Sequence, residues 1–145
     1  DTWTNSQPLW AGIATPEQAK KVLRRLENPD SFMGTYGVRT LSKQEPMYNL
    51  KATNNPSNWL GPVWGVSNYM VFRGLQRYGF REEATELARR TANLFEKDLK
   101  ETGTFHEFYD PDRGIGIRTP DFQNWNCLVL NMIAYLEGRT QITEF

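Results

Sequence analysis

The chain has 145 residues, which is enough for one compact domain. Its 17 basic and 17 acidic side chains leave no net charge, which excludes the strong field by which proteins gather nucleic acid or anionic membranes. A single cysteine and a single histidine exclude an internal disulfide and argue against a metal cage built from these residues. We therefore expect no metal, no cofactor, no nucleic acid and no membrane partner. The sequence does not indicate a cellular compartment.

Four helices are predicted from capping residues and apolar periodicity. The first spans 16–27, follows the N-cap Thr15 and is amphipathic. The second, 63–78, is apolar on nearly every side, which is typical of a buried helix. The third, 81–101, is amphipathic, and the fourth, 122–137, is again mostly apolar. This alternation is expected where an outer layer of helices surrounds an inner one.

The connections between these helices are unequal. The turn at 79–80 is short, whereas 28–62 and 103–121 are long and polar, with many aromatic residues. Both long connections lead into apolar helices and so fall at one end of the inner layer, and long structured loops are usually functional. We predict an all-α fold, a partial (α/α)6 toroid of alternating outer and inner helices, with at most a short hairpin within 32–50.

Two motifs lie in these long loops. The first is WLGPVWG at 59–65, and the helix that follows it carries Asn68 and Tyr69. The second is TGTFHEFYDP at 102–111, followed by GIG at 114–116 and DFQNW at 121–125. Aromatic residues make up 13% of the chain, and their π faces stack on the C–H surfaces of sugar rings. The loops are therefore candidates for a carbohydrate site.

Together these motifs resemble family 63 of the glycoside hydrolases and, more distantly, the family 37 trehalases. The blocks of family 63 have the form W-x-G-P-x-W-x-x-x-N-Y, W-E-x-Y-D-P-x-x-G-x-G and F-x-W-T-A-L-V. The resemblance covers about residues 59–137, with weaker similarity over 8–26. It implies an α/α toroid that hydrolyses α-linked sugars with inversion, using an Asp as general acid and Glu107 as general base. Terpenoid-type cyclases and prenyltransferases share the architecture but lack both motifs.

Glu107 can also be assessed on chemistry alone. An inverting hydrolase needs two carboxyl groups roughly 6.5–9.5 Å apart, so that a water molecule fits beneath the anomeric carbon. The base must be ionised and aimed at that water. Phe105, Phe108 and Tyr109 surround Glu107 in the sequence and can shield it from solvent. The alternative is a structural ion pair between Glu107 and an arginine such as Arg118.

Four aromatic residues are predicted to bind substrate. Trp64 and Trp125 each begin an inner helix, Trp59 lies in the first motif, and Tyr109 shares the second motif with Glu107. Packing in the core is the alternative for each ring. We expect Glu107, Trp64 and Trp125 to converge on one concave surface, because the N-termini of parallel inner helices meet at one end of a toroid.

The sequence departs from the family pattern at two places. His106 stands where an aromatic residue is usual, and 123–127 read QNWNC in place of the usual G-W-T-A. For His106 a hydrogen-bonded structural role is favoured over tuning of Glu107. Asp110 is interpreted as a turn-forming residue and Cys127 as part of the core.

We therefore predict a single domain over 1–145, the carboxy-terminal part of a toroidal catalytic domain. It would supply the general base of an inverting, α-glucosidase-like hydrolase, with an oligosaccharide or glycoside as substrate and the general acid lying upstream. Both α-glucosides and α-mannosyl compounds such as mannosylglycerate are compatible. The alternative is a non-catalytic carbohydrate-binding or oligomerising helical module. Because an incomplete toroid exposes apolar helix faces, we also expect a homo-oligomer or a missing partner segment.

Overall fold

The computed structural model describes residues 1–52 and 57–142. This part of the chain is about half helical, with short β-strands between the helices. Its α-helices are α1 (Gln7–Ala11), α2 (Pro16–Leu26), α3 (Gly65–Arg77), α4 (Arg81–Thr102) and α5 (Val129–Leu136). Two 3-10 turns, Trp3–Ser6 and Trp125–Leu128, lead directly into α1 and α5.

The strands form two small antiparallel sheets. Strands β1 (Met33–Gly34) and β2 (Gly37–Val38) make the short hairpin expected within 32–50. The second sheet has the order β3-β4-β5, and its strands are β3 (Val63–Trp64), β4 (Phe108–Tyr109) and β5 (Gly116–Arg118). The register sets Trp64 opposite Phe108, so this sheet joins the two long loops that carry the motifs.

The prediction of an all-α fold is therefore wrong in detail. The helix predicted over 63–78 begins at Gly65, because Val63 and Trp64 are extended and pair with β4. The helix predicted over 122–137 begins as a 3-10 turn at Trp125 and becomes α-helical only at Val129. Strands of two or three residues are too short to produce a detectable alternation in the sequence.

The capping signal at the start of α2 is confirmed. Thr15 Oγ1 accepts a hydrogen bond from the Gln18 N–H at 3.2 Å, and Gln18 Oε1 accepts one from the Thr15 N–H at 2.8 Å. Pro16 occupies the first helical position, where its missing N–H costs nothing. The helix buries Ala19 and Leu26, as its amphipathic pattern predicted.

Helix α3 lies at the centre of the core and packs against α1 and α4. Most of its side chains are buried, including Tyr69, Phe72 and Leu75. Asn68 is buried too and bonds both main-chain groups of Val38, accepting from its N–H at 2.8 Å and donating to its carbonyl at 3.0 Å. These bonds fix the β1–β2 hairpin on an inner helix.

The surface differs from expectation at two positions. Cys127, predicted to lie in the core, is exposed, and its Sγ contacts the Gln123 carbonyl at 3.0 Å on the outer side of the 3-10 turn. On α4, predicted to be amphipathic, the apolar Leu99 is 51% exposed, whereas the charged Asp98 beside it is buried. Among the helices of the described ranges, none is both long and apolar enough to cross a membrane.

Candidate active site

Glu107 immediately precedes β4, on the hairpin that β4 forms with β5. Its N–H donates to the Arg118 carbonyl at 3.1 Å, so the hairpin hydrogen bonding begins at this residue. The side chain is 8% exposed. The Thr119 hydroxyl donates to Glu107 Oε2 at 2.9 Å. The second long loop thus supplies a nearly buried carboxylate with one oxygen held in place.

A stack of tryptophan rings packs against Phe108 of the same hairpin. Trp59 and Trp64 are parallel, with ring centroids 3.9 Å apart, and Trp3 continues the stack at 6.0 Å from Trp59. Trp64 also packs on Phe108 at 4.9 Å and on Trp125 at 6.0 Å. The structure therefore brings the predicted Trp59, Trp64 and Trp125 together beside the residue that follows Glu107.

The tryptophans of this stack differ in exposure. Trp64 is fully buried, and its indole N–H donates to the Asn58 carbonyl at 2.8 Å. Trp59 and Trp125 are partly exposed. The exposed ring surface near the hairpin therefore belongs to Trp59 and Trp125 and not to Trp64, and contact between any of these rings and a sugar stays a prediction.

Tyr109 points away from the tryptophans and into the core. Its ring is fully buried and meets Phe95 edge to face at 5.3 Å, and its hydroxyl donates to Asp98 Oδ2 at 2.8 Å. Burial, and after it the Asp98 carboxylate, raise the pKa of the Tyr109 phenol well above its ordinary value. The hydroxyl therefore stays protonated and acts as a donor. Substrate contact by Tyr109 stays a prediction.

Asp98, which the sequence analysis did not single out, is 2% exposed and accepts several hydrogen bonds. His106 donates to it from its main-chain N–H at 3.1 Å and approaches it with ring Nδ1 at 3.0 Å, and Thr102 donates at 3.1 Å. The sequence does carry a signal for Asp98. It follows Leu94 by four residues and Phe95 by three, which places its carboxylate on the apolar face of α4.

His106 is held on three sides. Besides the contacts with Asp98, its carbonyl accepts from Asn126 Nδ2 at 2.8 Å, and Asn126 is fully buried. A Cβ added at Gly116 would lie 2.2 Å from the His106 ring, so only glycine fits there. The hydrogen-bonded structural role favoured for His106 agrees with this geometry. Asp110 makes the turn expected of it, since Oδ1 accepts from the N–H groups of Asp112 and Arg113, both at 2.9 Å.

The donor set gives no support to a metal centre. Within residues 1–52 and 57–142, no three His, Cys, Asp or Glu side chains are grouped closely enough to hold a metal ion. What the arrangement offers chemically is one nearly buried carboxylate, and the residue that follows it in the chain packs on a cluster of tryptophan rings. That Glu107 and these rings share one concave surface stays a prediction.

A sequence profile of the mannosylglycerate hydrolase MGH1-like glycoside hydrolase domain matches residues 2–125. This chain belongs to that family. The MGH1-like match includes both motif loops and the start of the 3-10 turn, and the resemblance to glycoside hydrolase family 63 is confirmed, as is the more distant one to trehalases.

Three relatives illustrate the relationship. Mannosylglycerate hydrolase MGH1 of Selaginella moellendorffii is 35% identical over 109 residues, which are 75% of this chain and 20% of the relative. Mannosyl-oligosaccharide glucosidase GCS1 of Arabidopsis thaliana is 30% identical over 139 residues, 88% of this chain and 16% of the relative. The crystal structure of a family 63 mannosylglycerate hydrolase from Thermus thermophilus with glucose superposes with a TM-score of 0.75 at 26% identity, covering 93% of this chain and 31% of that one.

The MGH1-like chain thus spans less than a third of the length of each of these relatives. Its fold is similar to part of a family 63 toroid, with the small sheets described above.

Proposed function

We propose that this MGH1-like domain contributes the general base to an inverting hydrolase of α-linked sugars, and that Glu107 is that base. The single observation that carries the proposal is the setting of Glu107. Its carboxylate is 8% exposed, one oxygen accepts the Thr119 hydroxyl, and the next residue in the chain packs on Trp64. This setting occurs in the motif that resembles the base-bearing block of family 63.

The chemistry follows from the two carboxylate oxygens. With Oε2 bonded to Thr119, Oε1 is the oxygen proposed to accept a proton from the attacking water. The water then attacks the anomeric carbon from the face opposite the leaving group, and the configuration inverts. The general acid, proposed to be an Asp upstream of these residues, protonates the departing oxygen. General-base catalysis of this kind contributes about 10²–10⁴-fold in rate.

We assign different proposed roles to the aromatic residues according to exposure. Trp59 and Trp125 are partly exposed and are proposed to contact sugar rings. Trp64 is buried between them and supports both rings from behind. Tyr109 is buried on the other side of the hairpin, where it supports the loop through Asp98.

The proposed substrate is a small α-glycoside. One relative is named a mannosylglycerate hydrolase and another a mannosyl-oligosaccharide glucosidase. We propose mannosylglycerate as the first substrate to assay and an α-glucosyl disaccharide as the second. Natural leaving groups are required, because p-nitrophenolate departs with little help from an acid.

The test uses a protein in which these residues are joined to the upstream part of the toroid. Glu107→Gln is expected to lower kcat by about 10²–10⁴-fold while sugar binding persists, since Gln cannot accept the proton. Added azide needs no base and should restore turnover, with a glycosyl azide of inverted configuration as product. Glu101→Gln, at the exposed end of α4, is the matched control and should behave as wild type. Full activity of Glu107→Gln on the disaccharide would overturn the proposal.

A further inference from the structure

We propose that Asp98 is a positioning residue for Glu107, which it orients through His106 and Tyr109. The proposal rests on the proposed role of Glu107 as base. Asp98 lies near the end of the long helix α4 and is 2% exposed, so it is fixed in the protein core. The loop between α4 and β4 bears Glu107 and has no helix or strand of its own over 103–107.

The contacts of Asp98 reach both neighbours of the base. Oδ2 accepts from the main-chain N–H of His106 at 3.1 Å and from the Tyr109 hydroxyl at 2.8 Å. The His106 ring Nδ1 lies 3.0 and 3.1 Å from the two carboxylate oxygens. His106 precedes Glu107 by one residue and Tyr109 follows it by two. One buried carboxylate therefore holds the chain on either side of Glu107.

The other bonds of this loop complete the restraint. The His106 carbonyl accepts from Asn126 Nδ2 at 2.8 Å, and the Glu107 N–H donates to the Arg118 carbonyl at 3.1 Å. The His106 carbonyl and the Glu107 N–H belong to the same peptide and are both occupied, so this peptide cannot rotate without breaking these hydrogen bonds. A displacement of about 1 Å at a reacting group can cost about 10²-fold in rate, so such a restraint affects catalysis.

The tautomer of a neutral His106 ring follows from the same contacts. An ionised carboxylate only accepts hydrogen bonds, so the nitrogen that faces Asp98 must carry a proton. When the ring is neutral, the proton therefore belongs on Nδ1, whereas imidazole side chains in water favour Nε2. The chain contains one histidine, so its ring nitrogen signals are unambiguous.

The first experiment is nitrogen-15 NMR of the 145-residue protein at alkaline pH. We expect wild-type His106 in the Nδ1–H tautomer and Asp98→Asn with a mixture of tautomers, because the amide offers one acceptor oxygen in place of two. An Nε2–H tautomer in the wild type would overturn the proposal. This readout does not depend on activity, so it is separate from the test of Glu107.

The second experiment measures kcat and KM in the protein joined to its upstream region. Asp98→Asn should lower kcat about 10–100-fold with KM nearly unchanged, because the base is present but misaimed. Tyr109→Phe removes one donor, keeps the packed ring and should lower kcat by a smaller factor, which covers the case in which Asp98→Asn does not fold.

Thr91→Val is the matched control for stability. Thr91 is buried on the same helix and its hydroxyl bonds the Leu87 carbonyl within α4, so this change lowers Tm without touching the loop. Its kcat should equal that of the wild type.

If Glu107→Gln is inactive while Asp98→Asn and Tyr109→Phe keep the kcat of Thr91→Val, Asp98 is not a positioning residue. If Glu107→Gln is itself active, the assignment of the base fails instead, and the tautomer of His106 still decides whether the restraint exists.

Discussion

Thr119 donates its hydroxyl to Glu107 Oε2 at 2.9 Å from a backbone conformation with φ of +53°. Positive φ is rare for a β-branched residue, because its Cβ substituents collide with the main chain. Such a conformation costs about 1–3 kcal/mol and persists only where the surroundings impose it. A strained residue bonded to the proposed base is the pattern expected where a fold gives up stability for the geometry of a site.

The first prediction separates strain from function at Thr119. Thr119→Gly removes both the unfavourable φ and the hydroxyl, so we expect unchanged or slightly higher Tm together with a kcat about 10-fold lower, the size expected for one hydrogen bond to a charged group. Thr119→Ser keeps the hydroxyl and should retain most of the activity. Thermal melts and steady-state kinetics on both variants provide the measurement. Equal activity of the Gly and Ser variants would show that the bond to Glu107 does not matter.

The second prediction concerns two stacked tryptophans. Trp64 is fully buried in the middle of the stack, so Trp64→Ala should lower the free energy of unfolding by about 3–5 kcal/mol. Trp59 is partly exposed, and Trp59→Ala should cost less stability but raise KM several-fold. Denaturant titration and kinetics distinguish the two effects. A Trp59→Ala protein with wild-type KM would reduce that ring to a packing role.

The features that the sequence predicted well are those with local causes. The start of α2 follows from Thr15, Pro16 and Gln18, all within one turn. Helix α4 follows from an apolar face repeated from Ala84 to Phe95. The β3-β4-β5 sheet was missed because β3 and β4 are distant in the chain and carry no pattern of their own. Local signals place helices, whereas short strands depend on partners that are distant in the chain.

The difference between local signals and long-range contacts also explains which parts of the candidate site could be predicted. Glu107 and Trp64 could be selected from motifs, but the motifs do not say which side of a hairpin each residue faces. Tyr109 lies close to the base in sequence yet is fully buried in the core, where its hydroxyl meets Asp98 and its ring meets Phe95. Asp98 has no motif at all, and its importance follows only from the residues that meet it after folding.

The third prediction is a pH dependence of stability at the end of α2. Burial, and after it the charge of Glu83, raise the pKa of Glu27 above its ordinary value. The folded state then binds more protons than the unfolded state, so this group makes stability fall as pH rises from about 4 through the folded pKa. Glu27→Gln should therefore stabilise the protein at neutral pH, by less than about 1 kcal/mol because the site is largely solvated.

That gain should disappear below about pH 4, where Glu27 is protonated in both the folded and the unfolded state. Glu17→Gln, in the exposed first turn of the same helix, is the control and should give no gain, because a negative charge there is favourable to the helix dipole. Tm measured from about pH 3 to about pH 8 tests the window. A gain of the same size at the acid end of that range would show that the charge of Glu27 is not its cause.

The last prediction concerns association of the isolated 145-residue chain. Leu130 on α5 is 63% exposed and Ile142 is 76% exposed, and the two are close because Asn131 bonds both main-chain groups of Ile142. Large apolar side chains exposed side by side usually mark an interface. Since the chain spans less than a third of the length of its relatives, we propose that this flank meets other helices in a larger assembly.

The chain alone should therefore self-associate, with a mass in light scattering that rises with concentration. Leu130→Glu should shift it towards monomer, whereas Ile115→Ser, at the turn between β4 and β5, should not. A concentration-independent monomer would refute the prediction.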